Sequence, residues 1–234
     1  MKTTTRTNKV IDVAAPGAIS KKIAAKENPK AVRRSTRGLK KTSDYINFEK
    51  ALLKGKELLW TDKDMIIGFY IIFSINCGLR VSDVTRLKYS DLEGLKLYDI
   101  LTLTEQKTGK VREIEINDYI YNSFLEIQTR LSKQGKYKSN DYIFKSQKNT
   151  VYATVSLNRK LKTIFAGYAR NISTHSLRKS FGRQYYDTHN QSEYALMVLS
   201  DLFQHSNMAI TRRYLGLRRE EINHVYRSLV TVPW

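Results

Sequence analysis

Cysteine is almost missing from this chain of 234 residues. Cys77 stands alone, which excludes a disulfide scaffold and any zinc module built on thiolates. Long apolar runs are missing too. The longest, residues 65–77, falls well short of the roughly 20 needed to cross a bilayer, and the first residues carry no apolar stretch of the secretory kind. A soluble, intracellular protein is therefore expected. Acidic residues are scarce, 22 Asp and Glu against 41 Lys and Arg, leaving a formal net charge of +19. No group of Asp, Glu or His has the spacing of metal ligands, and there is neither an internal repeat nor a low-complexity tract. A core is not lacking. With 41% hydrophobic and 11% aromatic residues, a wholly disordered basic protein is excluded. The length suits one domain of ordinary size with an appendage.

The positive excess points to a polyanionic partner, because each phosphate neutralised by Lys or Arg releases a condensed counterion. Nucleic acid comes first. A membrane surface would attract the same charge, but no basic amphipathic helix with a Trp or Phe face is evident. The alternative is a charge that only keeps the protein soluble. Its distribution is uneven. Residues 1–42 hold 12 Lys and Arg against Asp12 and Glu27, a net +10. Residues 133–183 hold 12 against Asp141, a net +11, while the intervening and C-terminal stretches are close to neutral. The first block has scattered Pro and Gly and no sustained apolar period, and reads as a flexible basic arm.

From Ser43 the pattern is globular. Ser43 is expected to cap a first helix carrying Ile46, Leu52 and Leu53, and Thr61 with Asp64 to form a capping box for an apolar helix over 65–76. Gly78 closes that helix, and Ser82 caps a short one through Leu87. Residues 98–104 and 111–116 are β-prone and flank Lys107-Thr108-Gly109-Lys110, a hairpin with a glycine turn. Further helices are expected over 118–131, 155–166, 175–186, 193–203, 209–214 and 219–229, with a basic loop at 133–140 and a short strand at 142–145. The fold class is mainly α with a small antiparallel β-sheet.

Three local patterns gather groups suited to a phosphodiester. In Cys77-Gly78-Leu79-Arg80-Val81-Ser82-Asp83 an arginine opens a helix directly after a glycine turn, where it can present two N–H groups to a phosphate. His175 and Arg178 are three apart and share a helix face. Phe203-Gln204-His205-Ser206-Asn207 is followed, nine residues after His205, by Tyr214 in Thr211-Arg212-Arg213-Tyr214-Leu215-Gly216. Each alone has a bland explanation as surface or packing. Cys77 reads most simply as a small buried apolar residue.

Taken in order, the patterns resemble the catalytic domain of the tyrosine recombinases, the phage integrase family. Gly78-Leu79-Arg80 matches the family's arginine turn and Asp83 its acidic residue three further on. Lys107 on the hairpin matches its lysine, with Lys110 as the fallback. His175 and Arg178 match its His-x-x-Arg, and His205 and Tyr214 its last histidine and nucleophile. The resemblance implies strand cleavage through a 3′-phosphotyrosyl intermediate without metal, ATP or other cofactor. It gives Tyr214 as nucleophile, His175 as proton acceptor, Arg80, Arg178 and His205 on the phosphate, and Lys107 as acid for the leaving 5′-hydroxyl. Asp83 has a supporting role, orienting Arg80 or the catalytic histidine, and Lys110, Lys179, Arg183, Arg212 and Arg213 are expected to hold DNA. The implied partners are double-stranded DNA, further copies of the chain (a dimer on one site, a tetramer in synapsis), and a directionality factor or DNA-bending host protein, with no membrane. The location would be the nucleoid of a bacterium or of a phage's host.

Two departures stand out. The family usually has Leu-Gly where Phe203-Gln204 precede His205. Ahead of the catalytic domain, 43–234, only the arm 1–42 stands where most members have a core-binding domain. The chain would then be a short recombinase resembling the fimbrial phase-variation invertases, or a catalytic fragment. Helix 219–229 has an apolar face that would dock in cis or on a neighbouring protomer. A non-cutting DNA-binding accessory or regulator of the same fold is the alternative function. If the arm tracks phosphates, its deletion should lower DNA affinity and flatten the dependence of log K on log salt in a titration, while cleavage of bound DNA persists.

Overall fold

The computed structural model describes residues 42–146 and 149–229; all but Thr42 of the expected basic arm lies outside them. Ten helices and one hairpin follow in the order α1 (Phe48–Leu59), α2 (Met65–Cys77), α3 (Val81–Val84), α4 (Tyr89–Leu92), β1 (Ile100–Thr104), β2 (Val111–Glu115), α5 (Asp118–Lys133), α6 (Thr154–Ile164), α7 (Thr174–Thr188), α8 (Glu193–Phe203), α9 (Met208–Leu215) and α10 (Leu217–Ser228). The two strands pair antiparallel with Leu103 opposite Arg112. The expected class, mainly helical with a small antiparallel sheet, is what the chain adopts.

The core is built around α2. A helix apolar on every side must be surrounded, and all of α2 except Ile66 and Asn76 is buried. Phe69 packs against Phe73, Phe124 and Phe144, bringing α5 and the loop before α6 onto it. α1 crosses α2 at Gly55 and Gly68, where backbones meet without side chains between them. A Cβ on Gly68 would stand 2.4 Å from the Leu59 nitrogen and 2.6 Å from the Gly55 oxygen. A second, smaller cluster joins Tyr186, Leu196, Leu199, Phe203, Leu215 and Leu217. α7 enters both, with Leu177 in the larger and Tyr186 in the smaller.

Several local expectations need correction. α1 is capped by Asn47, whose side chain accepts from Lys50 N; the Ser43 carbonyl instead accepts from Lys179. Thr61 and Asp64 form no capping box. The Thr61 hydroxyl donates back to Leu58 O, closing the turn after α1, and Asp64 makes no side-chain cap. Ser82 lies inside α3, which Arg80 precedes in extended backbone. Residues 142–145 are not a strand, because Ile143 N bonds Leu87 O whereas Phe144 O accepts from Tyr152 N. Serving different partners on its two sides, the segment builds no ladder. α4 went unanticipated, too short to carry a period.

α10 exposes Ile222 and Val225, with Leu229 exposed just after it, and Leu217 is its one buried residue among those described. Its apolar face is thus left uncovered by the described part of the chain. The close α1–α2 crossing sets a stability test. Although alanine favours helix over glycine by about 1 kcal/mol, Gly68→Ala should lower stability by about 2–3 kcal/mol through overpacking against backbone. Urea unfolding monitored by circular dichroism would measure it.

Candidate active site

α2 ends at Gly78 in the left-handed region, φ 61°, with its N–H on Ser74 O. The Phe181 ring stands 2.4 Å from where a Cβ would be, so both conformation and space require glycine. Leu79 is buried, and Arg80 is the next residue to point outward from the turn. Its Nη1 is ion-paired with Glu105, and its Nη2 donates to Phe203 O at 3.2 Å.

The same Phe203 oxygen receives Arg178. Ser173 opens α7 with a reciprocal cap: its Oγ accepts from His175 N, and its N–H donates to Ser176 Oγ at 3.0 Å. One turn later Arg178 is buried, its Nη2 3.3 Å from Phe203 O and its guanidinium carbon 4.4 Å from the centre of the Phe203 ring.

Why that carbonyl is free follows from the end of α8. Gln204 adopts φ 56°, ψ 46°, with its N–H on Asp201 O, and His205 N bonds Ser200 O at 2.9 Å. This is a Schellman closure with glutamine in the position that favours glycine. It leaves the last carbonyls, Leu202 O and Phe203 O, without main-chain donors, at the negative end of the helix dipole. Arg112 of β2 takes Leu202 O, and Arg80 and Arg178 take Phe203 O. A left-handed turn before His205 therefore forms even though Phe203-Gln204 stands where the family usually has Leu-Gly.

His205 and Tyr214 meet beyond this closure. Asn207 caps α9, accepting from Ile210 N, and places Tyr214 in its last turn. The rings of His205 and Tyr214 are 5.4 Å apart, and both lie against Phe203, at 5.6 and 5.5 Å. His205 Nδ1 is 2.9 Å from Thr211 Oγ1. The Tyr214 hydroxyl is buried, with the Arg178 guanidinium as its nearest polar neighbour. Burial pushes its pKa up to about 12, opposed by the charges of Arg178 and Arg80. His175, at the mouth of α7, is held below the ordinary imidazole range by partial desolvation and then by Arg178, Lys179, Lys107 and Arg80. His205 is lowered likewise by desolvation, Arg178, Arg80 and Lys107. Both histidines are thus favoured in the neutral form, able to accept a proton.

Lys107 and Lys110 are exposed on the hairpin turn, where Gly109 takes φ 66° and Glu105 N bonds Lys110 O. Asp83 does not orient Arg80 or a histidine. Its carboxylate accepts from Gln106 N at 3.0 Å and from the Ser82 hydroxyl, and so anchors the hairpin turn to α3. Of the cations expected to hold DNA, Lys179 and Arg183 are instead buried. Lys179 Nζ donates to Ser43 O at 2.7 Å and lies over the Tyr214 ring at 5.0 Å. Arg183 is engaged by Glu220 and Asp187 and lies over Tyr45. Arg212 pairs with Glu221, and Arg213 is exposed.

The carboxylate on Arg80 is Glu105, and the third arginine is Arg112; neither was singled out from sequence. A signal was present. With a period of two, Glu105 falls on the face of Leu101 and Leu103, and Arg112 on the face of Ile114 and Ile116. Each is a charge on the inward side of a strand. Among the described residues no group of three or more His, Cys, Asp and Glu is gathered as metal ligands are, and no helix is long and apolar enough to cross a membrane.

Residues 56–221 match the sequence pattern of the phage integrase family. The chain is 31% identical over 161 residues to the "Probable integrase/recombinase YoeC" of Bacillus subtilis, covering 68% of this chain and 82% of that protein. It is 29% identical over 146 residues to a tyrosine recombinase of Pseudothermotoga lettingae, covering 62% of this chain and 47% of that protein. It therefore spans most of the first relative and about half of the second. Among solved structures, the XerH site-specific recombinase in a post-cleavage complex with its difH substrate aligns over 80% of this chain and 53% of its own, with TM-score 0.59 and 20% identity. The XerA recombinase aligns over 83% and 68%, with TM-score 0.56 and 18% identity. At those identities the likeness concerns the fold.

The electrostatics of the two histidines can be read directly. In the DNA-free protein, NMR titration should put the imidazole midpoints of His175 and His205 below about 6.5. A bound duplex should raise both, since a phosphate favours the charged form. Midpoints at or above the ordinary value before DNA is added would contradict the field described here.

Proposed function

The chain belongs to the phage integrase family, the tyrosine recombinases, and on that premise we propose that it is a site-specific DNA recombinase of a phage or mobile element, joining itself to a 3′-phosphate through Tyr214. The observation that carries this reading is the convergence of Arg80 and Arg178 on the Phe203 oxygen, with the Phe203 ring packed on Tyr214. Two guanidinium donors on one oxygen provide a seat for a phosphate oxygen. The carbonyl occupies it in the absence of DNA.

In the proposed reaction the Tyr214 phenol attacks phosphorus, a P–O(Tyr) bond forms, and the P–O5′ bond breaks. His175, neutral in this field, takes the phenol proton. Arg80, Arg178 and His205 offset the charge that builds on the non-bridging oxygens. Lys107 protonates the departing 5′-hydroxyl, which would otherwise leave as a poor alkoxide. Rejoining is the same path reversed, so the phosphodiester energy is conserved and no ATP is needed. These cations do the work a metal ion would otherwise do. The partners are duplex DNA and further copies of the chain, two on a site and four in synapsis, with the uncovered face of α10 docking on a neighbouring protomer. Residues 1–42 and the exposed Arg213 and Lys110 lie on the DNA backbone, and a directionality factor or DNA-bending protein sets the outcome.

Incubated in EDTA with nicked suicide duplexes carrying the inverted repeats beside its gene, the chain should form a covalent protein–DNA adduct, visible as a shifted band on a denaturing gel. Tyr214→Phe should abolish it, and Arg80→Ala or Arg178→Ala should each slow its formation by about 10²–10³-fold. Specific binding with no adduct would mean a regulator in place of an enzyme. A strict need for Mg²⁺ would contradict the metal-free mechanism.

A further inference from the structure

Beneath the arginines lies one carboxylate that the reaction above does not use. Glu105, at the end of β1, is completely buried, 0% exposed. Both of its side-chain bonds fall on Oε2, from Arg80 Nη1 and from the Thr108 hydroxyl at 3.1 Å, and Oε1 has no partner. Arg112 and Arg178 also feel its charge. Stability alone is a weak reason for such a group. A buried ion pair seldom outdoes an apolar pair of the same volume, and an unpartnered buried oxygen adds a further desolvation cost.

Its two bonds join different parts of the site. Arg80 belongs to the turn after α2 and reaches the Phe203 oxygen; Thr108 belongs to the hairpin turn and follows Lys107 directly. We propose that Glu105 is a positioning residue that fixes the phosphate-holding Arg80 and the Lys107-bearing turn in one register through a single carboxylate oxygen. The inference rests on the recombinase reading. In that chemistry Arg80 must meet a non-bridging oxygen while Lys107 meets the leaving oxygen of the same phosphate, and a misplacement of about 1 Å can cost on the order of 100-fold in rate. Glu105 touches neither oxygen. It acts through the two groups that do, and Asp83, holding Gln106 N, steadies the same turn from its other side.

The two arms of the carboxylate can be separated with a substrate whose leaving 5′-oxygen is replaced by sulfur. The P–S bond breaks to a thiolate that needs no proton, so the contribution of Lys107 is bypassed while that of Arg80 remains. Glu105→Gln keeps the shape and removes the charge. It should slow cleavage of bound ordinary duplex by about 100-fold with the DNA dissociation constant little changed, and should remain slowed, though less, on the sulfur substrate. Thr108→Val puts a methyl in place of the hydroxyl of an exposed turn, removing its bond to Glu105 and the long one it accepts from Lys110 N at 3.4 Å. It should slow ordinary cleavage by about fivefold and cleave the sulfur substrate at the parent rate. Glu105→Gln at the parent rate would overturn the proposal, as would parallel losses of rate and affinity, or a Thr108→Val defect of the same size on both substrates. A parent chain that forms no adduct on either substrate would overturn the recombinase reading itself, a result distinct from all of these.

Discussion

The end of α8 is the fixed point of this site. A helix must leave its last carbonyls without main-chain donors, and here Leu202 and Phe203 present theirs to three arginines from three places in the chain: Arg80 after α2, Arg112 on β2 and Arg178 on α7. Those bonds bring the hairpin, the glycine turn and the His-x-x-Arg helix to one helix terminus. The chain then continues from that terminus directly into His205 and Tyr214. Because α8 closes with a left-handed residue, the His205 ring turns back onto Phe203, where Tyr214 also packs. Remove the closure and the shared acceptor and the ring cluster are both lost.

The same terminus also resolves an electrostatic conflict. Three guanidinium groups close together repel one another, and partial desolvation together with the charges of Arg178 and Arg80 draws the neighbouring histidines toward the neutral form. In the DNA-free chain the negative end of α8 and the buried Glu105 supply the compensating charge. A phosphate diester carries one full negative charge, so on the proposed reading its oxygens would take the place of the Phe203 oxygen on Arg80 and Arg178. Tyr214 meanwhile is held protonated, its hydroxyl buried and its pKa pushed up to about 12. On the proposed reading, the phenol must therefore lose its proton to a neighbouring base before it can attack.

Much of this was legible in the chain. The apolar run 65–77 could only be an interior helix, Gly78 could only be its end, and the order of Arg80, Lys107, His175, Arg178, His205 and Tyr214 carried the resemblance to the recombinases. Less legible were the caps. Asn47 and not Ser43 begins α1, because the N–H groups of Asp44 and Ile46, which a cap at Ser43 would need, go to Asn171 O and Ser180 Oγ, more than 120 residues away; a local rule cannot see such distant competitors. Asp83 was expected to orient Arg80 or a histidine, but its carboxylate accepts from Gln106 N of the hairpin turn. Lys179 and Arg183 read as DNA-facing from their place in a basic block, yet each has found partners inside the fold.

The sequence by itself determined the longer helices, the hairpin and the family, and it named candidate side chains for a phosphodiester, because hydrophobic period, glycine position and residue chemistry are local properties. Only the tertiary structure decided which charges are spent inside the protein and which are left for a ligand. The strand period puts Glu105 and Arg112 on the inward face of the hairpin, but their partners are known only once Arg80, before α3, and the end of α8 are set against it. The reason is physical. A charge is defined by what surrounds it, and those surroundings come from segments a hundred residues apart.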